Sequence, residues 1–539
     1  MKQTNNHNIR SGACIEHGEA HQKDHAAWSR RQFLTTTGLF AMGSAFMLGS
    51  SRVQALSQMS KMQQLLSAAD NDRVLVIVFM NGGNDGLNTI VPRFNNTYYN
   101  LRPTLAVPES GLFPLDSAFG MPNTMLNLQP LWQDGKMAVV HSVSYPQQDY
   151  SHFRSADIWS TGSASNTYLE TGWLGRYLDY EYPSYNTAPA EFPIAIQVGV
   201  QSSMVFMGAT NPLGLTINNP NEFYQIAQTG QLYPTDNMPD CSYGEEMLFL
   251  RQMANNTVRY AQTIKVAYDN AAFGGSYPDN YLAAQLAVTA RLIKGGLQTK
   301  IYLVEIGGFD THADQAVYHP ELMTRLAGSI RAFYDDLTNA GQDERVLTMT
   351  FSEFGRTIGE NGSFGTDHGQ AAPMLFFGGS TVGGMKGTFG ALSEDEGSGD
   401  QSFTTDYRTV YSSVLKDWFC INDTVVNNIM GGNFGIVPNL LADCMPQVGS
   451  SNLAVLLGHN PSPTQSGIIL IKYALLFKGG VKLQILDTSG QPRATIVNAT
   501  QDANSYTIPF NPASYGLAPG EYFYRLETGG KSYMRRIMI

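Results

Sequence analysis

The sequence predicts an α/β fold, a mostly parallel sheet with helices on both faces, followed by a small antiparallel β-sandwich. Three observations predict it. Apolar runs of strand length alternate with amphipathic stretches of helix length from residue 73 to about 440. Each run stops abruptly in a polar, often Gly-rich cluster. Beyond about residue 461, short alternating strands punctuated by turns replace both. The 539-residue chain is 43% hydrophobic and 15% charged, the composition of a folded protein rather than a disordered one.

The first strand is Val74-Leu-Val-Ile-Val-Phe-Met80, apolar throughout and so buried on both faces. It ends in Asn81-Gly-Gly-Asn-Asp-Gly86, which puts Asn84 and Asp85 at the carboxyl end of a central strand, where open α/β sheets gather ligands. A second short strand spans residues 135–141. Ser151 follows at the start of a helix whose apolar positions are Phe153, Ile158 and Trp159. A serine there fits either an N-cap or a nucleophile, and His152 and Arg154 are placed to contact an oxyanion. Residues from about 166 to 243, rich in Asn, Pro, Ser, Thr and Tyr, read as a loop-rich insertion with one strand at 193–198. Helical patterning resumes at 245–270 and 279–294, closed by Gly295-Gly296.

The next strand, 300–306, ends in Gly307-Gly-Phe-Asp-Thr-His312. Asp310 and His312 are two apart, so in extended backbone they project to one side and can share a cation. An amphipathic helix with Leu322, Leu326, Ile330, Phe333 and Leu337 on one face returns the chain to strand 345–351. That strand ends in Ser352-Glu-Phe-Gly-Arg356, and Asp367-His368 precede strand 373–377. Four clusters are thus expected on one rim: Asn84/Asp85, Asp310/His312, Glu353/Arg356 and Asp367/His368. Carboxylates and imidazoles in that mixture suit a divalent metal such as zinc, manganese or calcium. The candidate ligands are Asn84, Asp85, Asp310, His312, Glu353, Asp367 and His368. The catalytic candidates are Ser151, His152, Arg154 and Arg356, the arginines for an anionic substrate.

A formal charge of -11 without any run of Lys and Arg argues against a nucleic-acid surface. Ser29-Arg-Arg-Gln-Phe-Leu34 stands before an apolar segment, 38–48, too short to span a bilayer, and Ala55 offers a cleavage point. Residues 1–55 therefore read as an export signal, and no other segment looks transmembrane. The mature chain is expected in the periplasm, at the cell surface or outside the cell. Cys14 lies ahead of the cleavage point, leaving Cys241, Cys420 and Cys444 for at most one disulfide, most simply Cys420 with Cys444. The expected division is 1–55 signal, 56–440 α/β domain, 441–460 linker and 461–539 sandwich.

Several motifs occur in one order: Phe79-Met-Asn-Gly-Gly-Asn-Asp-Gly-Leu-Asn-Thr89, Ser151-His-Phe-Arg-Ser-Ala-Asp-Ile-Trp159, Gly172-Trp-Leu-Gly-Arg176, Phe309-Asp-Thr-His312, Phe351-Ser-Glu-Phe-Gly-Arg356 and Gly365-Thr-Asp-His-Gly369. In these the chain resembles the exported bacterial family known as domain of unknown function 1501, grouped with the alkaline phosphatase and sulfatase superfamily. The resemblance implies an alkaline-phosphatase-like doubly wound sheet with a metal site at its strand ends. It implies Asp85 as the first-strand ligand, Asp310 with His312 as a shortened Asp-x-x-x-His pair, and His368 as the last ligand histidine. Glu353 falls where the superfamily has Asp-His. These departures argue against a standard two-zinc phosphatase, and the lack of a Cys/Ser-x-Pro-x-Arg motif disfavours a formylglycine sulfatase.

The N-terminal segment resembles a twin-arginine signal. Ile471-Lys-Tyr-Ala-Leu475, Val481-Lys-Leu-Gln-Ile-Leu-Asp-Thr-Ser-Gly490 and Pro519-Gly-Glu-Tyr-Phe-Tyr-Arg-Leu526 resemble the sorting domain of the Bacteroidetes type IX secretion system. The export and outer-membrane secretion machineries are the partners these likenesses imply. Two functions are expected. The first is a metal-dependent hydrolase of phosphate or related esters. The alternative is a non-catalytic surface protein of hydrolase-like fold that binds a polysaccharide or a protein partner.

Overall fold

The computed structural model describes residues 73–539 except 184, 186–188, 200–202, 229–232, 236–237, 239–241, 393–398, 443–453, 460–467, 476–477, 489, 503 and 529–530. The expected export signal, part of the linker, and Cys14, Cys241 and Cys444 lie outside the described residues. Cys420 is disulfide-bonded. Among the described residues, no helix is long and apolar enough to cross a membrane.

These residues fall into two compact units. The larger comprises Arg73–Ser413 with Asn427–Ala442. Its centre is β1 (Val74–Asn81), whose β-branched and apolar residues are almost all buried. Along the chain follow β2 (Met137–Ser144), α1 (His152–Thr161), α2 (Trp173–Glu181), β3 (Ala195–Val198), β4 (Gly214–Ile217), α3 (Pro220–Gln228) and α4 (Ser242–Asn270). Then come α5 (Tyr281–Lys294), β5 (Ile301–Gly307), α6 (Gln315–Asn339), β6 (Val346–Phe351), β7 (Ala372–Phe377), β8 (Gly384–Lys386) and β9 (Thr405–Asp406).

The strands form one sheet in the order β8-β2-β7-β6-β1-β5-β3-β4, with β9 paired to β2. β5 and β6 flank β1 in parallel, Phe79 lying opposite both Glu305 and Phe351. Only β7 runs against its neighbours, β2 and β6. This reversal matters for the site. The residues before an antiparallel strand lie at the rim where the parallel strands end, so His368 meets the carboxyl ends of β2, β5 and β6.

Helices cover both faces. Side chains alternate along a strand, so Thr348 and Phe351 of β6 point to opposite faces. Tyr334 of α6 donates to Thr348 Oγ1 (2.9 Å), while Trp159 of α1 stacks on Phe351 (5.7 Å between centroids).

One expectation is corrected. Residues 166–243 are not a loop-rich insertion with a single strand. They contain α2, β3, β4 and α3, and β3 and β4 extend the main sheet in parallel. β3 falls within the expected strand at 193–198, but Gly-Leu-Thr-Ile is only four residues long and interrupted by a polar residue, so its pattern is weak.

The smaller unit takes Val414–Val426 and the described residues of Asp443–Ile539. It contains β10 (Ala454–His459), β11 (Ile469–Leu475), β12 (Gly479–Leu486), β13 (Pro492–Gln501), β14 (Ser505–Phe510), β15 (Glu521–Thr528) and β16 (Lys531–Met538). These form a three-stranded antiparallel sheet, β10-β11-β14, and a four-stranded one, β13-β12-β15-β16. β10 occupies residues expected in the linker. Ile469, Ile471, Tyr473 and Leu475 from one sheet and Val481, Leu483 and Ile485 from the other share one core, the period-two burial of a sandwich.

Candidate metal centre

Glycines after β1 let the rim close up. Gly82 has φ +123°, and a Cβ there would lie 2.5 Å from the Asp310 backbone nitrogen; Gly83, at φ +79°, would collide with the Phe354 ring. The turn after β1 therefore packs directly against the segment after β5 and the loop after β6.

On this rim one carboxylate oxygen gathers three imidazoles. Asp310 Oδ1 lies 3.1 Å from His312 Nε2, 3.4 Å from His368 Nε2 and 3.5 Å from His152 Nε2. His312 Nε2 and His368 Nε2 are 2.9 Å apart. The second nitrogen of each ring is anchored by an acceptor. His152 Nδ1 meets Glu353 Oε1 at 2.7 Å, His312 Nδ1 meets Asp367 Oδ1 at 3.0 Å, and His368 Nδ1 donates to the Tyr150 carbonyl at 2.8 Å.

These anchors fix the chemistry of the centre. A carbonyl oxygen only accepts, so His368 carries its proton on Nδ1 and, when neutral, turns a lone pair outward from Nε2. An ionised carboxylate imposes the same tautomer on His152 and His312. Three Nε2 lone pairs and a carboxylate oxygen then face one another, an arrangement that is repulsive unless a proton or a metal cation sits among them. Ligand atoms set tetrahedrally about 2.1 Å from a zinc-sized ion would be about 3.4 Å apart, close to the Asp310–His368 and Asp310–His152 separations of 3.4 and 3.5 Å. His152, Asp310 and His368 form a group able to hold a metal ion, their donor atoms all lying within 4.8 Å of one another. His312 lies beside this group, in contact with Asp310 and His368.

The charges around the rings pull in different directions. Partial burial would raise the Asp310 carboxyl, but the Arg356 hydrogen bond (2.7 Å) and the charges of Arg356, His312 and His152 outweigh it and hold it below its ordinary value. The hydrogen bond to Glu353 raises His152, while partial burial lowers His368. Asp310 and His312 are about half exposed, so the centre opens to solvent, unlike a closed structural site.

The expected site residues divide into three groups. Asp310, His312 and His368 are brought together as donors, and His152, expected as a catalytic group, stands among them. Glu353 and Asp367, expected as ligands, instead hold imidazoles. Glu353 is fully buried and also accepts the Gly82 N–H (2.9 Å); Asp367 accepts from Asn361 Nδ2 (3.0 Å).

The remaining expectations are corrected. Asp85 is no ligand: it is fully buried in an ion pair with Arg102 (2.6 Å), and it accepts from Gln315 and from the Leu87 and Asn88 N–H groups. Burial alone would raise its pKa, but Arg102 and His319 outweigh that and lower it. Asn84 is occupied too, donating its N–H to Ser352 Oγ and bonding His319 Nε2 through Oδ1. Arg154 turns to the loop after α1, donating to the Ser165 and Thr167 carbonyls and covering the Tyr168 ring. Arg356 spends its guanidinium on Asp310 and on the carbonyls of Gly82, Gly83, Phe309 and Thr366, so it positions the Asp310 carboxylate rather than a substrate. Ser151 precedes α1 and is exposed, and its hydroxyl makes no cap bond to the helix.

Sequence reasoning missed three contributors. Tyr150 acts through its carbonyl, which no side-chain pattern announces. Phe354 lies under the centre, its ring 4.4 Å from that of His368 and 4.8 Å from that of His152. Its place inside Ser352-Glu-Phe-Gly-Arg356 was the available signal. Asn361 fixes Asp367 and bonds the His312 carbonyl (3.0 Å).

Residues 225–430 match a family model described as a protein of unknown function, DUF1501. No curated protein matches the chain. Among solved structures, the chain is similar to a sulfatase from Pseudoalteromonas sp., with 12% identity, a TM-score of 0.32, and 85% of this chain and 89% of that chain covered. It is similar to the alkaline phosphatase of the Antarctic bacterium TAB5, with 11% identity, a TM-score of 0.25, and 58% and 94% covered. It is also similar to the lipoteichoic acid synthase LtaP of Listeria monocytogenes, with 9% identity, a TM-score of 0.29, and 84% and 89% covered.

Proposed function

We propose that this protein is an exported, metal-dependent hydrolase of phosphate or related esters. One observation carries the reading: a solvent-open cluster of imidazole Nε2 atoms converges on Asp310 Oδ1, with every Nδ1 tied to an acceptor. His152, Asp310 and His368, with His312 beside them, would hold the ion. A nitrogen-rich donor set suits zinc or manganese better than calcium, which prefers oxygen. A bound ion would supply Lewis acidity to the ester and to the attacking hydroxyl.

The chain's own residues do the rest. Glu353, Asp367 and the Tyr150 carbonyl hold the ring tautomers, and Arg356 keeps Asp310 ionised and oriented. A water would attack phosphorus directly, or Ser151, next to His152, would do so first and a water would then cleave the phosphoserine, releasing phosphate and restoring the hydroxyl. The bond to the leaving oxygen breaks, and the departing alcohol takes up the proton that the nucleophile gives away. Export is read from the signal-like residues 1–55, and delivery to the surface from the sorting-domain likeness of residues 461–539.

A second reading, a metal-holding surface protein without turnover that binds a polysaccharide or a protein partner, is favoured by one observation. Both arginines expected to meet an anionic substrate are engaged elsewhere. Assay of the purified protein with aryl phosphate, phosphodiester and sulfate esters, with and without chelator, separates the two. Hydrolysis lost on chelation, restored by zinc or manganese and absent in Asp310→Ala supports the enzyme. A stoichiometric metal with no hydrolysis of any ester supports the second reading.

A further inference from the structure

A cavity of about 480 Å³ opens at the carboxyl ends of β3 and β4, lined in part by Gly199, Asn218, Tyr268, Phe273, Tyr281 and Gln285. It shares a rim with the metal centre, because β3 pairs in parallel with β5, the strand that leads to Asp310. Neighbouring strands are about 4.8 Å apart, which places the cavity roughly 5–10 Å along the rim from the end of β5.

The walls are built in advance. Gln285, buried on α5, clamps β5 by accepting the Glu305 N–H (2.9 Å) and donating to the Glu305 carbonyl (2.7 Å). Arg291 stacks on Tyr268 (3.6 Å) and on Phe273 (4.8 Å) and donates to the Ala271 carbonyl, so the guanidinium backs the rings instead of entering the cavity. Gly199, at φ +149°, keeps the floor low: a Cβ there would stand 3.5 Å from Gln285 Oε1 and 3.7 Å from the Tyr281 hydroxyl.

Two rings remain turned to solvent, Phe273 (50% exposed) and Tyr281 (57%). Beside them stand the exposed Asn218 amide and the Tyr281 hydroxyl, and among the described residues the lining includes no charged side chain. Aromatic faces attract the weakly positive C–H face of a pyranose, while amides and phenols exchange hydrogen bonds with its hydroxyls. An anionic group would find no counter-charge here, and a purely apolar ligand would leave the amide unsatisfied. The volume lies in the ordinary range for small-molecule sites and exceeds that of one sugar ring.

We infer that this cavity binds a neutral sugar ring and serves as the subsite for the alcohol portion of the ester. The second half of that statement rests on the hydrolase reading. The test titrates the full-length purified protein with methyl β-glucoside, methyl β-galactoside and maltose, following ligand saturation-transfer signals, and repeats the titration after chelation. Wild type should bind at least one of these sugars saturably with or without chelator. Phe273→Ala and Tyr281→Ala should each weaken binding about ten-fold, with metal content unchanged. Both side chains are exposed, and Tyr281→Phe, which keeps the ring, should lose far less than Tyr281→Ala. In turnover, Phe273→Ala should raise KM for a glycosyl phosphate and leave methyl phosphate untouched. No sugar bound by wild type, equal binding by the alanine variants, or phenol bound in preference to every sugar would overturn the inference. Sugar binding without hydrolysis would leave the cavity standing and remove the hydrolase reading; methyl phosphate hydrolysis without sugar binding would do the reverse.

Discussion

Two aspartates stand at the same rim of the same sheet, each beside an arginine, and they differ in everything that decides chemistry. Asp85 is fully buried, and Arg102, Gln315 and two backbone N–H groups saturate its oxygens with donors. Asp310 is half exposed; Arg356 supplies one donor, and three imidazoles supply lone pairs. The first arrangement is complete as it stands. The second has donor atoms that could hold a cation. A carboxylate at a strand end is therefore a candidate ligand only where its neighbours leave some of its oxygens without donors.

Asp310→Ala should produce the largest functional effect, loss of stoichiometric metal and of any hydrolysis, with a smaller drop in the thermal midpoint than Asp85→Ala because four backbone carbonyls still hold the buried Arg356 guanidinium. Metal analysis beside a melting curve checks both halves. Asp85→Ala should show the opposite profile. Removing one member of a fully buried pair strands Arg102 and should cost about 3–5 kcal/mol by denaturant titration, while the folded fraction keeps its metal.

An intermediate effect should come from the groups that hold the imidazoles. Asp367→Ala or Glu353→Ala should weaken metal about 10–100-fold without abolishing binding, the usual weight of an outer partner. Competition against a chromogenic chelator reads that loss directly. The smallest effect sharpens the Asp85 side. Burial lowers His319 and His141 to about 4. The unfolded chain therefore takes up protons near pH 6.5 that the folded one refuses until about 4, and stability should fall as pH drops through that window. His319→Gln should flatten the slope, and an unchanged slope would show that His319 is not held neutral.

The contrast also explains what could be read from the chain alone. β1, β5 and β6 were legible because continuous apolar runs ending in Gly-rich clusters have few other readings. Asp310, His312 and His368 were legible because they follow β5 and precede β7 in an order that brings them to one rim. Asp85 looked equally suitable, since nothing local discloses that Arg102, seventeen positions on, is buried against it. Arg154 and Arg356 misled for the same reason: guanidinium groups are as readily spent on backbone carbonyls as on substrates. Glu353 and Asp367 were found as residues but not in role, because whether a carboxylate meets an ion or an imidazole is settled by a few ångströms of packing. β3 was found within the strand expected at 193–198, whereas β4 was missed because four residues carry too little periodicity to stand out among polar neighbours.

The central proposal is that a metal ion completes the side chains around Asp310 Oδ1. Elemental analysis of the full-length protein, purified without chelator and compared with the His368→Ala variant, tests it most directly. About one zinc or manganese ion per chain is expected in the wild type, with a strong loss in the variant. A folded wild type that carries no metal and takes none up, or a variant that keeps its full complement, would contradict it.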